Sequence, residues 1–337
     1  MTVLQHETVA PPDHLIKIQS APKAFYALRA AMELGIFELL ANGPKTAMAV
    51  ADELKLNAHA TEALLNVLLA LRFLLRSESQ YKLTAESGAY LVQGSDLYMG
   101  MYLQITKKME QSWEQLADVV RSGNPIARVN EQAGAEEFFP ALAESIFPMS
   151  YAVAGLVAKD LASVNQGEVH ILDVAAGSGV WTIPLAQANK AAKVDALDFP
   201  AVLKVTEKIT TNRKVAHQYK YLSGNWRDVA WKDGWYDIIV LGHILHSEGL
   251  QQSKKLLARC YQSLKSGGKI VVAEFLCNDL RDGPAAAVMF ELNMLLHTSD
   301  GCVFTVSQLT ELLQECGFKT IAHSAIIDEK PILIGTK

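Results

Sequence analysis

The sequence predicts an α/β fold: a Rossmann-like, doubly wound, mostly parallel sheet with an antiparallel carboxyl-terminal edge, preceded by an all-helical domain of winged-helix type. Three observations predict it. The stretch VHILDVAAGSGVW at 169–181 is an apolar run that breaks into a turn of small residues. An apolar pattern at helical spacing then resumes through Ile183, Leu185 and Ala186. Strand-like runs at 169–174, 193–197, 218–222, 236–242 and 269–275 alternate with helical stretches, the pattern of a parallel sheet covered on both faces. Ahead of them, residues 45–84 read helix, turn, helix, wing.

At 337 residues, 50% hydrophobic and 20% charged, the chain is long enough for two domains with sizeable cores. A net charge of −5, with no dense run of Lys or Arg, argues against a nucleic-acid partner. The first thirty residues carry Glu7, Pro11, Pro12 and Asp13 and no apolar core of a secretory signal, and the pattern shows no apolar stretch of the roughly 18 residues a membrane span needs. The expected setting is therefore cytoplasmic, with no membrane partner. Cys260, Cys277, Cys302 and Cys316 are scattered without a C-x-x-C, which fits reduced structural thiols and no metal site.

In chain order, residues 13–42 space Phe25, Leu28, Ala31, Met32, Leu34, Phe37 and Leu40 as a helix interrupted at Gly35. A helix this apolar needs a partner surface. Thr46 caps a short helix to Leu54, Asn57 caps a longer one to about Leu75, and RSESQYKLT forms the wing. Winged helices can read DNA, but the second helix, ATEALLNVLLALRFLL, is apolar almost all round with the single basic Arg72. A reading helix needs polar and basic side chains, so burial is the expectation. Residues 97–160 are helical again around a loop at Asn124 and Pro125. The runs at 319–327 and 331–336, separated by Asp328 to Lys330, make an antiparallel hairpin at the sheet edge.

The small-residue turn has the spacing Asp173-x-Ala175-x-Gly177-x-Gly179. So little side chain lets a ligand lie against the main chain in front of a helix N-terminus, where doubly wound sheets hold nucleotide-like cofactors. Asp198, at the tip of the next strand, stands 19 residues past Gly179, where such folds take a ribose diol. No basic residue in the loop awaits a pyrophosphate, which points to an adenosyl ligand without phosphates.

The segments LDVAAGSG, ALDFP and ILHSEGLQQSKKLLARCYQSLKSGGKIVVAEF resemble the class I S-adenosylmethionine-dependent O-methyltransferases of the caffeic-acid and hydroxyneurosporene type, over nearly the whole chain. The resemblance implies S-adenosyl-L-methionine bound by Asp173, Ala175, Gly177, Gly179 and Asp198. Asn225 and Trp226 stand where the family shows an acid and an apolar residue beside the adenine. His246 falls on the family's general base and Glu274, 28 residues on, on the carboxylate that orients it; His243 reads as packing or as a cleft wall. The family's second glutamate falls at Val303 and is missing. Asn293, Met294 and His297 occupy the stretch that lines the acceptor pocket, and Phe147 and Met149 of the linker are candidates to join them.

The organisation implied is a winged-helix-like dimerisation domain at 1–100, a helical linker capping the substrate cleft at 101–160, and a cofactor-binding domain at 161–337. It would be a homodimer through the amino-terminal helices, acting on a hydroxyl of a small aromatic or polyketide-like metabolite. Two rivals remain at this level: a relative that binds the same cofactor but is a decarboxylase, a pericyclase or a C- or N-methyltransferase, and a winged-helix regulator that senses a metabolite.

Overall fold

A computed structural model describes residues 11–129, 132–324 and 332–337. The chain forms two compact units, residues 1–103 and 104–337. The first holds helices α1 (Asp13–Glu33), α2 (Ile36–Ala41), α3 (Ala47–Leu54), α4 (Ala58–Ala70) and α5 (Ala85–Tyr90) and strands β1 (Lys45–Thr46), β2 (Leu74–Ser77) and β3 (Gln80–Leu83). Gly35, at φ 75°, makes the break between α1 and α2 that the sequence pattern marks. The Thr46 hydroxyl accepts from the Ala49 N–H and the Asn57 side chain from the Ala60 N–H, so both expected caps form. Ile36, Phe37 and Leu40 meet Leu65, Leu68, Leu74 and Tyr81 in one core.

One boundary differs. The helix expected to run to about Leu75 stops at Ala70, because Arg72 turns left-handed at φ 64° and Leu74 to Ser77 pair antiparallel with Gln80 to Leu83. Strand pairing wins Leu74 and Leu75 from the helical pattern that precedes them.

The second unit opens with helices α6 (Gly100–Trp113, which begins in the first unit), α7 (Leu116–Ser122) and α8 (Gln132–Asp160). Its sheet alternates β4 (His170–Val174), α9 (Ile183–Ala188), β5 (Lys193–Asp198), α10 (Pro200–Asn212), β6 (Tyr219–Ser223), β7 (Tyr236–Gly242), α11 (Leu245–Ser263) and β8 (Leu264–Ala273). There follow β9 (Leu276–Cys277), α12 (Ala285–His297), β10 (Phe304–Thr305), α13 (Val306–Glu315), β11 (Ile321–Ser324) and β12 (Ile332–Thr336). The strand order is β11-β12-β8-β7-β4-β5-β6, parallel from β8 to β6, with β12 and β11 antiparallel at the edge. The expected turn at Asp328 to Lys330 lies outside the described residues.

This order places the site. From β4 the chain steps through β5 to β6 on one side, then returns to lay β7 on the other. The crevice beyond the carboxyl ends of β4 and β7 is thus the topological switch point, where open α/β sheets bind ligands. Strand alternation sorts the cores: Ile171 packs with Val194, Ile238 and Val271 on one face, Leu172 with Ile239, Ile270 and Leu333 on the other.

Helix α8 corrects another expectation. Its segment Gly134–Asp160 is long and apolar enough to cross a membrane by length and composition, although the sequence pattern suggested no such stretch. It carries Pro140 and Pro148 and buries Phe147, Ala154, Val157 and Ala158 in the core on the Ile171 face of the sheet. That is how a core helix of a large α/β domain passes the same test.

Candidate active site

The loop after β4 is left-handed at three alternate positions, Ala175 (φ 54°), Gly177 (φ 56°) and Gly179 (φ 72°). Small residues are needed there because a larger side chain is strained in this region of backbone space. The Ala176 N–H bonds to the Leu197 carbonyl at 3.1 Å, and the Gly177 N–H donates to Asp198 Oδ2 at 2.8 Å. The Thr206 hydroxyl donates to the Gly177 carbonyl at 2.7 Å, and a Cβ built on Gly177 would stand 3.7 Å from that of Ala143 on α8. The glycine loop is thus tied to β5 and α10 and walled by α8.

Asp198 Oδ1 also accepts from the Phe199 N–H at 2.7 Å. Burial pushes the Asp198 carboxyl up to about 6, only partly offset by the Gly177 and Phe199 amides. Asp173 is buried beneath the loop, where the Thr182 hydroxyl donates to its Oδ2 at 2.6 Å. Burial pushes it up to about 7, against the pull of the Thr182 bond, with Asp198 adding repulsion. Two carboxyls held in low-dielectric surroundings suit a cationic ligand, which would favour their ionised forms.

At the tips of β7 and β8 the chain builds a second cluster. Gly242 lies against the Trp181 indole so closely that a Cβ would come within 2.3 Å of Trp181 Cδ1. His243 follows at φ 61°, its N–H donating to the Ala273 carbonyl at 2.8 Å. Glu274 then receives two donors. Its Oε1 accepts from the Leu245 N–H at 2.6 Å, and its Oε2 lies 2.6 Å from His246 Nδ1. Both residues are buried, His246 at 9% exposure and Glu274 at 5%. Burial alone would raise Glu274, but the charge and hydrogen bond of His246, the charge of His243 and the Leu245 amide together hold it below the usual carboxylate range.

The pair fixes the imidazole. With Nδ1 bonded to the carboxylate, Nε2 is the nitrogen left to take a proton. Phe290 of α12 meets the His246 ring edge-on at 4.9 Å, Phe275 lies 6.0 Å away, and the Cys302 N–H donates to the His246 carbonyl at 2.8 Å. Donor atoms of His243, His246 and Glu274 lie within 4.8 Å of one another, close enough for a metal ion. Both Glu274 oxygens are already committed to fixing the imidazole and the Leu245 amide.

Several expected site residues sit otherwise than the sequence suggests. Trp226 does not offer an open face: it is buried, its Nε1–H donates to Glu248 Oε1 at 3.0 Å, and the Arg227 guanidinium lies over its ring at 4.6 Å. Asn225 Oδ1 accepts from the Arg227 N–H at 3.0 Å and so shapes its own loop. Phe147 turns into the core, stacked on Tyr151 at 4.9 Å beneath the Arg213 guanidinium, because α8 packs this face onto α10. Met149 faces outward at 37% exposure, and Asp173 is enclosed below the loop rather than lining it.

On α12, Phe290, Asn293, Met294 and His297 recur at helical spacing, so the face that brings Phe290 to His246 also carries the other three. Met294 and His297 are buried; burial lowers the imidazole of His297, and its Nδ1 lies 3.0 Å from the Asn293 carbonyl, which opposes that shift. Val303, in the position of the missing acid, packs with Cys277, Ala287, Val288 and Phe290. The linker reaches this helix through its backbone: the Ile126 N–H donates to the Leu296 carbonyl and the Val129 N–H to that of His297, each at 2.9 Å. Sequence reasoning missed Trp181, Thr182, Glu248, Phe275 and Phe290. The α12 spacing was a usable signal for Phe290; the others are set by contacts between distant segments.

A left-handed small-residue loop at the switch point and an acid at the next strand tip, with a buried histidine–glutamate pair on the neighbouring tips, define an α/β protein shaped to receive a nucleoside-type ligand. The chain belongs to the O-methyltransferase family: residues 113–319 match the model of its O-methyltransferase domain and residues 17–93 that of the O-methyltransferase dimerisation domain. It is similar to a 3-hydroxy-5-methyl-1-naphthoate 3-O-methyltransferase of Streptomyces sahachiroi, 29% identical over 86% of this chain and 84% of that one. It is also similar to a tetracenomycin polyketide synthesis 8-O-methyl transferase of Streptomyces glaucescens, 25% identical over 98% of both. The structure of human N-acetylserotonin methyltransferase in complex with S-adenosylmethionine superposes with a TM-score of 0.79, at 25% identity, covering 98% of this chain and 99% of that one. The protein is an S-adenosylmethionine-dependent methyltransferase.

Proposed function

We propose that this enzyme methylates a hydroxyl on a small aromatic or polyketide-derived acceptor, with His246 as general base and Glu274 as the carboxylate that orients it. The 2.6 Å contact between His246 Nδ1 and Glu274 Oε2, buried at the tips of β7 and β8, carries this reading. The residues around the β4 loop fit the cofactor: Ala175, Gly177 and Gly179 present bare backbone, and Asp198 holds a desolvated carboxyl where a ribose diol would be received. When bound, S-adenosylmethionine supplies an electrophilic methyl on a sulfonium. His246 Nε2 takes the acceptor's hydroxyl proton, and Glu274 stabilises the resulting imidazolium. Phe275 and Phe290 keep the pair in apolar surroundings, where that stabilisation is strongest.

The naphthoate and polyketide named for the two Streptomyces relatives, and the N-acetylserotonin named for the human enzyme, support a small aromatic acceptor. Asn293, Met294 and His297 are the residues we assign to it, with the linker capping that side through Ile126 and Val129. Assembly as a homodimer through the amino-terminal unit is part of the proposal, in the cytoplasmic setting read from the sequence. The matching dimerisation domain supports it, as does the exposure of Leu15 (70%), Ile18 (63%) and Tyr26 (54%) along one face of α1.

The test is His246→Ala in single-turnover methyl transfer from labelled cofactor to hydroxynaphthoates between pH 6 and 9. The expected loss is about 10²- to 10⁴-fold, with cofactor affinity within twofold. A rate within threefold of wild type at every pH would remove His246 from the role.

A further inference from the structure

Two residues beyond His246 stands a carboxylate that the proton transfer does not use. Glu248 is 10% exposed at its side chain, and both of its oxygens are engaged by the loop after β6. Oε1 accepts from the Trp226 indole N–H at 3.0 Å, and Oε2 pairs with the Arg227 guanidinium. Arg227 in turn lies over the Trp226 ring at 4.6 Å and donates to Asn225 Oδ1 at 3.3 Å. Arg259, later on α11, donates to the carbonyls of Trp226 and Val229, the latter at 2.6 Å. Residues 225–229, the loop beside the Asp198 strand tip, are therefore held to the helix that carries the base. Gly249, directly after Glu248, breaks that helix at φ 69°, and a Cβ there would come within 2.2 Å of the Asp300 carbonyl. The first turn of α11, with His246 and Glu248, is thus a short separate piece between the kink and β7.

We infer that Glu248 is a positioning residue that couples the cofactor-side loop at 225–229 to the turn bearing His246, so that loading of the adenosyl moiety and placement of the base are one event. The inference rests on the proposed site and deepens it. Its physical basis is the pair of bonds from one buried carboxylate to two consecutive loop residues. Charge-assisted bonds of this kind are the stronger class, and they fix orientation as well as distance. A loop that shifts when it receives a ligand would move Glu248 with it, and His246 lies on the same turn.

The experiment uses Glu248→Ala, Glu248→Gln and Trp226→Phe in the full-length enzyme. S-adenosylmethionine affinity is read by calorimetry, saturating single-turnover rate by transfer to a hydroxynaphthoate, and melting temperature alongside. Glu248→Ala is expected to weaken cofactor binding about tenfold, the scale of one net hydrogen bond to a charged group, and to slow the saturating rate severalfold without moving its pH midpoint. Glu248→Gln, which can still accept from the indole, is expected to recover most of the affinity. Trp226→Phe should be non-additive with Glu248→Ala. Affinity and saturating rate both within twofold of wild type in Glu248→Ala, whatever the melting temperature, would overturn the inference. The calorimetric arm needs no acceptor, so its failure is distinguishable from a wrong acceptor class or a wrong base.

Discussion

Replacing Glu274 by Gln probes the site more sharply than removing the histidine, because the carboxylate is held by two donors that a primary amide cannot both satisfy. Glu274 Oε1 faces the Leu245 N–H and Oε2 faces His246 Nδ1, each at 2.6 Å. If the glutamine carbonyl accepts from Leu245, its NH2 points at Nδ1 and selects the tautomer with the proton on Nε2, which cannot act as a base there. Turning the amide over restores the tautomer but sets NH2 against the Leu245 N–H, leaving two buried donors facing each other. In either orientation the negative charge opposite the imidazolium is gone. A charge-assisted bond at this depth is worth about 2 to 3 kcal/mol, or about 30- to 150-fold in rate. The tautomer penalty adds to it, so the expected loss is about 10² to 10³ in the saturating single-turnover rate. The assay is rapid-quench transfer of labelled methyl to a hydroxynaphthoate between pH 6 and 9, with cofactor affinity and melting temperature as controls. A rate within threefold of wild type, with the fold intact, would refute the claim that Glu274 sets the imidazole.

Three further outcomes are expected. Since Asp198 is pushed up to about 6, S-adenosylmethionine affinity should fall as pH drops from 7 to 5, because protonation removes the acceptor; calorimetry on Asp198→Asn should give weaker binding with a flatter pH profile. The raised Asp173 and Asp198 carboxyls bind protons more tightly folded than unfolded. The stability they contribute is therefore full below about pH 4 and lost as pH rises through about 6 to 7, and urea titrations of ligand-free Asp173→Asn should show a shallower decline over that window. Ile18, 63% exposed on α1, should break the proposed dimer when changed to Glu, giving a monomer by light scattering where the wild type gives a dimer; a wild-type monomer at micromolar concentration would dismiss the interface.

The sequence by itself determined what depends on periodicity and backbone freedom. Near-continuous apolar runs at 169–174 and 236–242 read as strands buried on both faces once helices alternate with them. Ala175, Gly177 and Gly179 are left-handed because small residues at alternate positions permit that backbone, and Thr46 and Asn57 cap because their short polar side chains reach the free amides of the next turn. The pairing of His246 with Glu274 was legible only through the family resemblance, and the adjacency of β7 and β8 is what brings the two strand ends together.

Tertiary structure alone decided which way each side chain near the site points. Phe147 and Met149 are two residues apart on one helix. Packing of α8 on α10 sends the first to the core and the second to solvent, a choice that an apolar sequence all round does not encode. The sequence leads one to expect Trp226 to present a face, but Glu248, 22 residues on, takes its N–H, and the adjacent Arg227, paired with the same carboxylate, covers its ring. The helix that stops at Ala70 rather than near Leu75 follows the same rule. Local propensity allowed helix there, and pairing of Leu74 to Ser77 with β3, a non-local contact, settled it.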